Sequence, residues 1–215
     1  VGIRTVAVVG LVALATWLLV RGALRRRVPW IGVAVLLVPA IALGITERQW
    51  NSTEQKLSSI AKALAPGADG VHCQRLGETF TYAGAELGHV EWDEDGVPVG
   101  PAMVSYETCQ RLADYWRSSP EQKASAPLEQ VIAVHVLTHE AMHQAGHLPE
   151  AEAECAALQR DAWVAGRLGA DAAGARRLVA TYAAQVYPRM PSAYRSPECR
   201  AGGALDHSPD DGAWP

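Results

Sequence analysis

Two uninterrupted apolar stretches open the chain. Thr5 to Val20 carries no charged residue, nor does Val28 to Thr46, and between them stand Arg21, Arg25, Arg26 and Arg27. A bilayer core about 30 Å thick is crossed by about 20 apolar helical residues, with ~17 near the lower limit. The second stretch meets that length directly, and the first does so once Gly2 and Ile3 contribute. A cleaved signal sequence carries its positive charge ahead of the apolar run, whereas here the arginines follow it. Residues 1–46 are therefore expected to form a two-helix transmembrane hairpin. Pro29 stands at the start of the second helix, and Pro39 is of the kind that membrane helices tolerate as a kink. Arginines in a short loop favour the cytoplasmic side, which puts both chain ends, and everything after Thr46, outside the cytoplasm.

After Thr46 the pattern changes. Glu47 to Ala65 is polar on most faces and reads as a juxtamembrane helix ended by Pro66-Gly67, so residues 47–70 form a helix and linker. From Val71 to Ser105 short β-prone runs alternate with turn signals. Thr79–Tyr82, Leu87–Trp92 and Val97–Val104, with Asp93-Glu94-Asp95-Gly96 as a solvated turn, predict a small antiparallel sheet. Helical spacing then returns over Tyr106–Trp116, Pro127–Ala145, Pro149–Leu168 and Asp171–Tyr187, with Ser118–Ala126 as a loop and Asp171 as an N-cap. The tail is rich in Pro and Gly and reads as irregular. Residues 71–215 thus predict one α+β domain, large enough for a core of its own.

Charge and cysteine content sharpen this picture. The chain has 19 basic and 23 acidic residues; five arginines and no acid precede residue 47, which leaves 14 against 23, a net charge of −9. Such a domain is not built for nucleic acid or for anionic lipid. Cys73, Cys109, Cys155 and Cys199 make an even set in an exported domain, which is what disulfides need. Of the three pairings, Cys73–Cys109 with Cys155–Cys199 is favoured, each bridge closing its own half.

The candidate chemistry lies in the helix predicted over 127–145. His139-Glu140-Ala141-Met142-His143 spells H-E-x-x-H. Positions four apart lie about 40° from each other around a helix, so two imidazoles can face one ion with Glu140 beside them. A catalytic zinc site needs a third protein ligand and leaves a position for water. Gly146 suits a left-handed helix end and Pro149 the first position of a second helix, so Glu150 folds back towards the histidines. Glu150 is the first choice for the third ligand, and Glu154, one turn on, for a carboxylate that orients a histidine; His147 and Glu154 are the alternatives for the ligand itself. His135, His207, Tyr182 and Tyr194 are candidates to stabilise an oxyanion.

These residues resemble the zincin metallopeptidases, and more closely the gluzincin branch, in which H-E-x-x-H on one helix is completed by a glutamate of an E-x-x-x-D/E pattern on the next. The resemblance covers residues 126–168. The chain is also similar to uncharacterised bacterial membrane-anchored metallopeptidases. It implies a zincin-like domain in which His139, His143 and Glu150 hold Zn2+, Glu140 is the general base and Glu154 the acidic partner. It further implies a peptide or protein substrate, gripped by an edge strand beside the zinc. The interval from His143 to Glu150 is shorter than in typical gluzincins, and Pro149 occupies the last ligand position of the metzincin pattern. The competing class is a non-catalytic envelope protein with a structural or degenerate zinc site.

The hairpin reading makes a direct prediction. A reporter active only outside the cytoplasm is expected to work when fused after Thr46 and to fail when fused at Arg25. The reverse result would place the domain in the cytosol.

Overall fold

The computed structural model describes residues 2–75, 87–207 and 214. Its elements are α1 (Ile3–Leu24), α2 (Trp30–Leu64), β1 (Val71–Cys73), β2 (Gly88–Trp92), β3 (Pro98–Val104), α3 (Tyr106–Arg117), α4 (Pro120–Ala124), α5 (Leu128–Gln144), α6 (Glu150–Arg167) and α7 (Ala172–Gln185), followed by two short 3-10 turns. The fold is α+β: an apolar helical hairpin, then a three-stranded mixed sheet and several helices. The described residues fall into two compact units, one of residues 2–53 with Arg75, the other of residues 54–74 and 87 onward.

In the first unit α1 and the start of α2 pack as a hairpin. The turn between them is tight. Arg27 donates its backbone N–H to Gly22 O at 2.9 Å, and Arg26 adopts φ 52°. Gly22 is required there, because a Cβ would lie 2.8 Å from Val28 Cα. Both helices have the length and composition of membrane spans, and little of either apolar window is buried in the protein. Val9 is 63 % exposed, and Val35 and Val38 are each 66 % exposed. The apolar stretch and the polar stretch after it form one helix, α2, with Pro39 inside it. Where α2 turns polar, Glu47 accepts from Thr5 and pairs with Arg75, which also donates to Asn51 at 2.9 Å.

The second unit begins with the end of α2, whose Leu57, Ile60 and Ala61 are fully buried. Ser58 Oγ bonds both the N–H and the carbonyl of Val71 at 3.0 Å, and Glu54 accepts from Cys73 N at 2.9 Å, so α2 sets the start of β1. The strand order is β1-β3-β2. β2 and β3 form the expected antiparallel hairpin, with an irregularity between His89 and Glu91, while β1 pairs parallel to β3. A three-residue strand is too short to display alternation, which is why the sequence pattern missed it and its direction. The strand expected over Thr79–Tyr82 lies outside the described residues. At the hairpin tip Asp93 Oδ1 accepts from the N–H groups of Asp95 and Val97, which closes the expected turn.

Among the helices, α5 is buried nearly all round from Val131 on, polar residues included, and is the centre of the unit, packing against α3, α6, α7 and the sheet. Gln144 at its end donates to Gly70 O at 3.1 Å and Gly100 O at 3.3 Å, which fixes the helix to the sheet. Two local expectations are corrected. Ser118–Ala126 is not all loop, since Ser119 and Gln122 build a capping box for α4. Pro149 is the N-cap residue of α6 rather than its first turn, with ψ 133°. Asp171 does cap α7, accepting from Gly174 N at 2.6 Å.

Cys73 is bonded to Cys109 and Cys155 to Cys199. Such bridges belong to an oxidising compartment and accord with an extracytoplasmic domain. The first closes 36 residues and joins β1 to α3. Replacing both Cys73 and Cys109 by serine is expected to lower the unfolding free energy by about 3 kcal/mol, read as an earlier midpoint in denaturation of the detergent-solubilised chain. An unchanged midpoint would mean that the bridge constrains nothing.

Candidate metal centre

The connection between α5 and α6 builds the site. α5 ends in a Schellman turn: His147 N donates to Met142 O at 3.1 Å and Gly146 N to His143 O at 2.9 Å, with Gly146 at φ 98°. The turn swings the His147 carbonyl under His143, where it lies 2.7 Å from Nδ1. A carbonyl only accepts, so Nδ1 carries the proton and Nε2 presents a lone pair. That lone pair points at α6. His143 Nε2 lies 3.3 Å from Glu150 Oε2, and His139 Nε2 lies 3.1 Å from the same oxygen.

Three donors thus converge on one point. A tetrahedral zinc with bonds of about 2.0–2.2 Å separates its ligand atoms by about 3.3 Å, so the donor set and spacing fit such an ion. The Glu150 side chain is 40 % exposed while the histidines are nearly buried, which leaves the cluster open on one side. A second group, His135, His139 and Glu154, also brings three donor atoms together. There both nitrogens of His135 already face carboxylates, so that group is complete as a hydrogen-bonded network without an ion. The His139, His143 and Glu150 set is the better metal candidate.

Behind this set lies a buried network that centres on Glu154, only 1 % exposed. Its Oε2 is 3.0 Å from His135 Nε2 and 3.1 Å from His139 Nδ1, the latter an ion-pair approach at an angle short of a good hydrogen bond. Its Oε1 accepts from the Tyr182 hydroxyl at 2.8 Å. His135 Nδ1 meets Asp161 Oδ2 at 2.7 Å, and the His135 ring stacks on Tyr182 at 3.6 Å. Burial works against the charged form of His135, but Asp161 and Glu154 outweigh it and hold the imidazolium up to about 10. His139 is held up to about 9, burial being overcome by Glu150 and Glu154. Burial would raise Glu154, yet the histidines hold it well below the usual carboxylate range. Burial and the neighbouring His139 charge push His143 down.

Glu140 is buried and sits where β2 passes. A Cβ on Gly88 would fall 2.8 Å from Glu140 Oε1 and 2.9 Å from its Cγ, so a glycine at that point of the strand makes room for the carboxylate. The end of the same strand places Trp92 edge-on to His143, with ring centroids 5.7 Å apart. His139 and Glu140 line a cavity of about 410 Å3.

The remaining sequence candidates are dispersed. The His147 ring stands against His207, with centroids 5.4 Å apart, so His147 serves the site through its carbonyl rather than its ring. His135 and Tyr182 are committed to the Glu154 network, and His207 is beside His147. Of the four oxyanion candidates this leaves Tyr194, which lines the cavity with its ring centroid 5.9 Å from that of His139. Sequence reading passed over Asp161 and Gly88. Asp161 had a signal: eleven residues after Glu150, it returns to within about 20° of the same helix face. Gly88 had only the weak signal of a glycine in a strand. Comparison with protein-family models, curated proteins and solved structures finds no match to this chain.

Asp161→Ala would leave the buried His135 imidazolium with one of its two carboxylates. Breaking a buried pair from one side costs about 3–5 kcal/mol, so metal-free protein is expected to unfold at markedly lower denaturant, with Asp161→Asn intermediate. Wild-type stability in Asp161→Ala would show that the network carries little of the fold.

Proposed function

We propose that this chain is a zinc metallopeptidase, anchored by α1 and α2 and acting outside the cytoplasmic membrane. The observation that carries the reading is the convergence of His139 Nε2 and His143 Nε2 on Glu150, with the Glu140 carboxylate beside them at the wall of an open cavity. Two imidazoles and one carboxylate are a donor set that zinc favours in hydrolytic sites, and an ion bound there would displace the proton that His139 holds beside Glu150. When bound, zinc would polarise the scissile carbonyl and acidify water at the site. Glu140 takes the proton of the attacking water and passes it to the leaving amine. Glu154 holds His139 from behind and the His147 carbonyl holds His143, so both rings keep their Nε2 atoms aimed at one point. A purely structural site would have no use for Glu140.

The sheet supports a peptide as the substrate. Among the described residues β2 lies at the sheet edge, and its first residue, Gly88, lies against Glu140. An extended peptide added to that edge would run beside the proposed base, gripped through its backbone with little demand on sequence.

Metal analysis of the purified full-length protein is expected to give one zinc per chain, lost in His139→Ala and in His143→Ala. Glu140→Gln should keep the zinc and lose hydrolysis by about a hundredfold or more, the scale of a positioned general base. Full metal occupancy in both histidine variants would end the zinc reading. An identified hydrolytic activity that survives Glu140→Gln undiminished would reduce the site to a scaffold.

A further inference from the structure

We propose that the cavity beside His139 and Glu140 receives a bulky apolar side chain of the substrate, and that its outer wall is a strap held in place by the Cys155–Cys199 bridge. The proposal rests on the metallopeptidase reading above. The floor is a ridge of α5, where Ile132 and Val136 precede Glu140 at four-residue spacing. Leu87 at the start of β2 closes one side, and Val186, Met190 and Pro191 close the other. Among the described lining residues there is no lysine or arginine, and the two lining histidines, His135 and His139, are already faced by Glu154, so an acidic side chain would find no unclaimed counter-ion there. At about 410 Å3 the cavity lies in the size range of ligand sites, and the proposed base and a proposed ligand form part of its wall. An occupant therefore lies next to the bond to be broken.

The strap is the chain after α7. One end is continuous with that helix and the other is bonded through Cys199 to Cys155, the residue after Glu154. Between them lie Met190, Pro191 and Tyr194, all facing the cavity. Noncovalent ties fasten it too, among them Ser196 N donating to the Tyr187 hydroxyl at 3.2 Å, Gln159 donating to Leu205 O at 2.9 Å and His207 N donating to Gln159 Oε1 at 2.8 Å, but the bridge is its covalent hold on α6. Loss of the bridge would free the wall and leave the His139, His143 and Glu150 cluster, built from the α5–α6 turn, intact.

The test is binding of amino-acid hydroxamates to the zinc-loaded, full-length protein, followed by calorimetry. Leucine and phenylalanine hydroxamates are expected to bind about ten- to hundredfold more tightly than glycine and aspartate hydroxamates, the scale of burying one apolar side chain. Met190→Asp should erase that preference without changing zinc content or glycine hydroxamate affinity. Cys155→Ala with Cys199→Ala should do the same, and proteolysis should then cut between residues 186 and 199. Equal affinity for all four hydroxamates in protein that retains its zinc would overturn the pocket and leave the metal reading standing. A preference that persists in Met190→Asp would overturn the strap as its wall. Protein that takes up no zinc would remove both.

Discussion

The second unit is organised around one buried carboxylate. Glu154 is taken out of water among α5, α6 and α7, at a cost that only close partners can offset. It has three: His135 and His139 from α5 and the Tyr182 hydroxyl from α7. Each contact joins α6 to a different point on its neighbours, so the carboxylate sets the rotation of α6 about its own axis. That rotation places Glu150, one turn earlier, in front of His139 and His143. Replacing the network by apolar packing would hold the helices together, but would not dictate which way their polar faces point.

The same logic explains why two tiers of histidine and carboxylate coexist. The inner tier, His135 with Glu154 and Asp161, saturates both nitrogens of its imidazole and stacks it on Tyr182. Such a ring is chemically spent. In the outer tier each imidazole is held through Nδ1 and shows Nε2 to Glu150, whose carboxylate is half open to solvent. One tier serves the fold, the other is free to take a ligand, and His139 belongs to both. The connection is short because the Schellman turn reverses the chain within Ala145–Pro149, so the metal candidate is assembled from sequence neighbours and needs little help from distant parts of the chain.

The distant parts supply the surroundings. β2 runs beside Glu140, and the close approach is tolerated because Gly88 has no side chain. The chain after α7 returns across α6 and is fastened there by the Cys155–Cys199 bridge. Both disulfides therefore secure short or irregular pieces: a three-residue strand at one end and the tail at the other. This is the use to which a modest domain with a small sheet puts cross-links, since each removes loop freedom that local packing could not restrain.

Local signals were enough for much of this. The two uncharged stretches and their arginines announced a helical hairpin, because exposure of that much apolar surface is decided by composition alone. The H-E-x-x-H spacing, the Gly146 stop and the Asp171 cap were legible because each depends on residues within one turn of each other. The cysteine pairing followed from the division of the domain into halves. What sequence could not supply were relations between elements. The parallel β1 was invisible because three residues carry no period. Ser118–Ala126 concealed a helical turn whose capping box was overlooked. His135 and Tyr182 looked like candidates to stabilise charge at the site, and only packing showed that Glu154 and Asp161 had already claimed them. The approach of Gly88 to Glu140, and of the tail to the cavity, joins residues about 50 positions apart. Short-range periodicity fixes which face a side chain occupies; the partner that face will meet is decided by how the core closes.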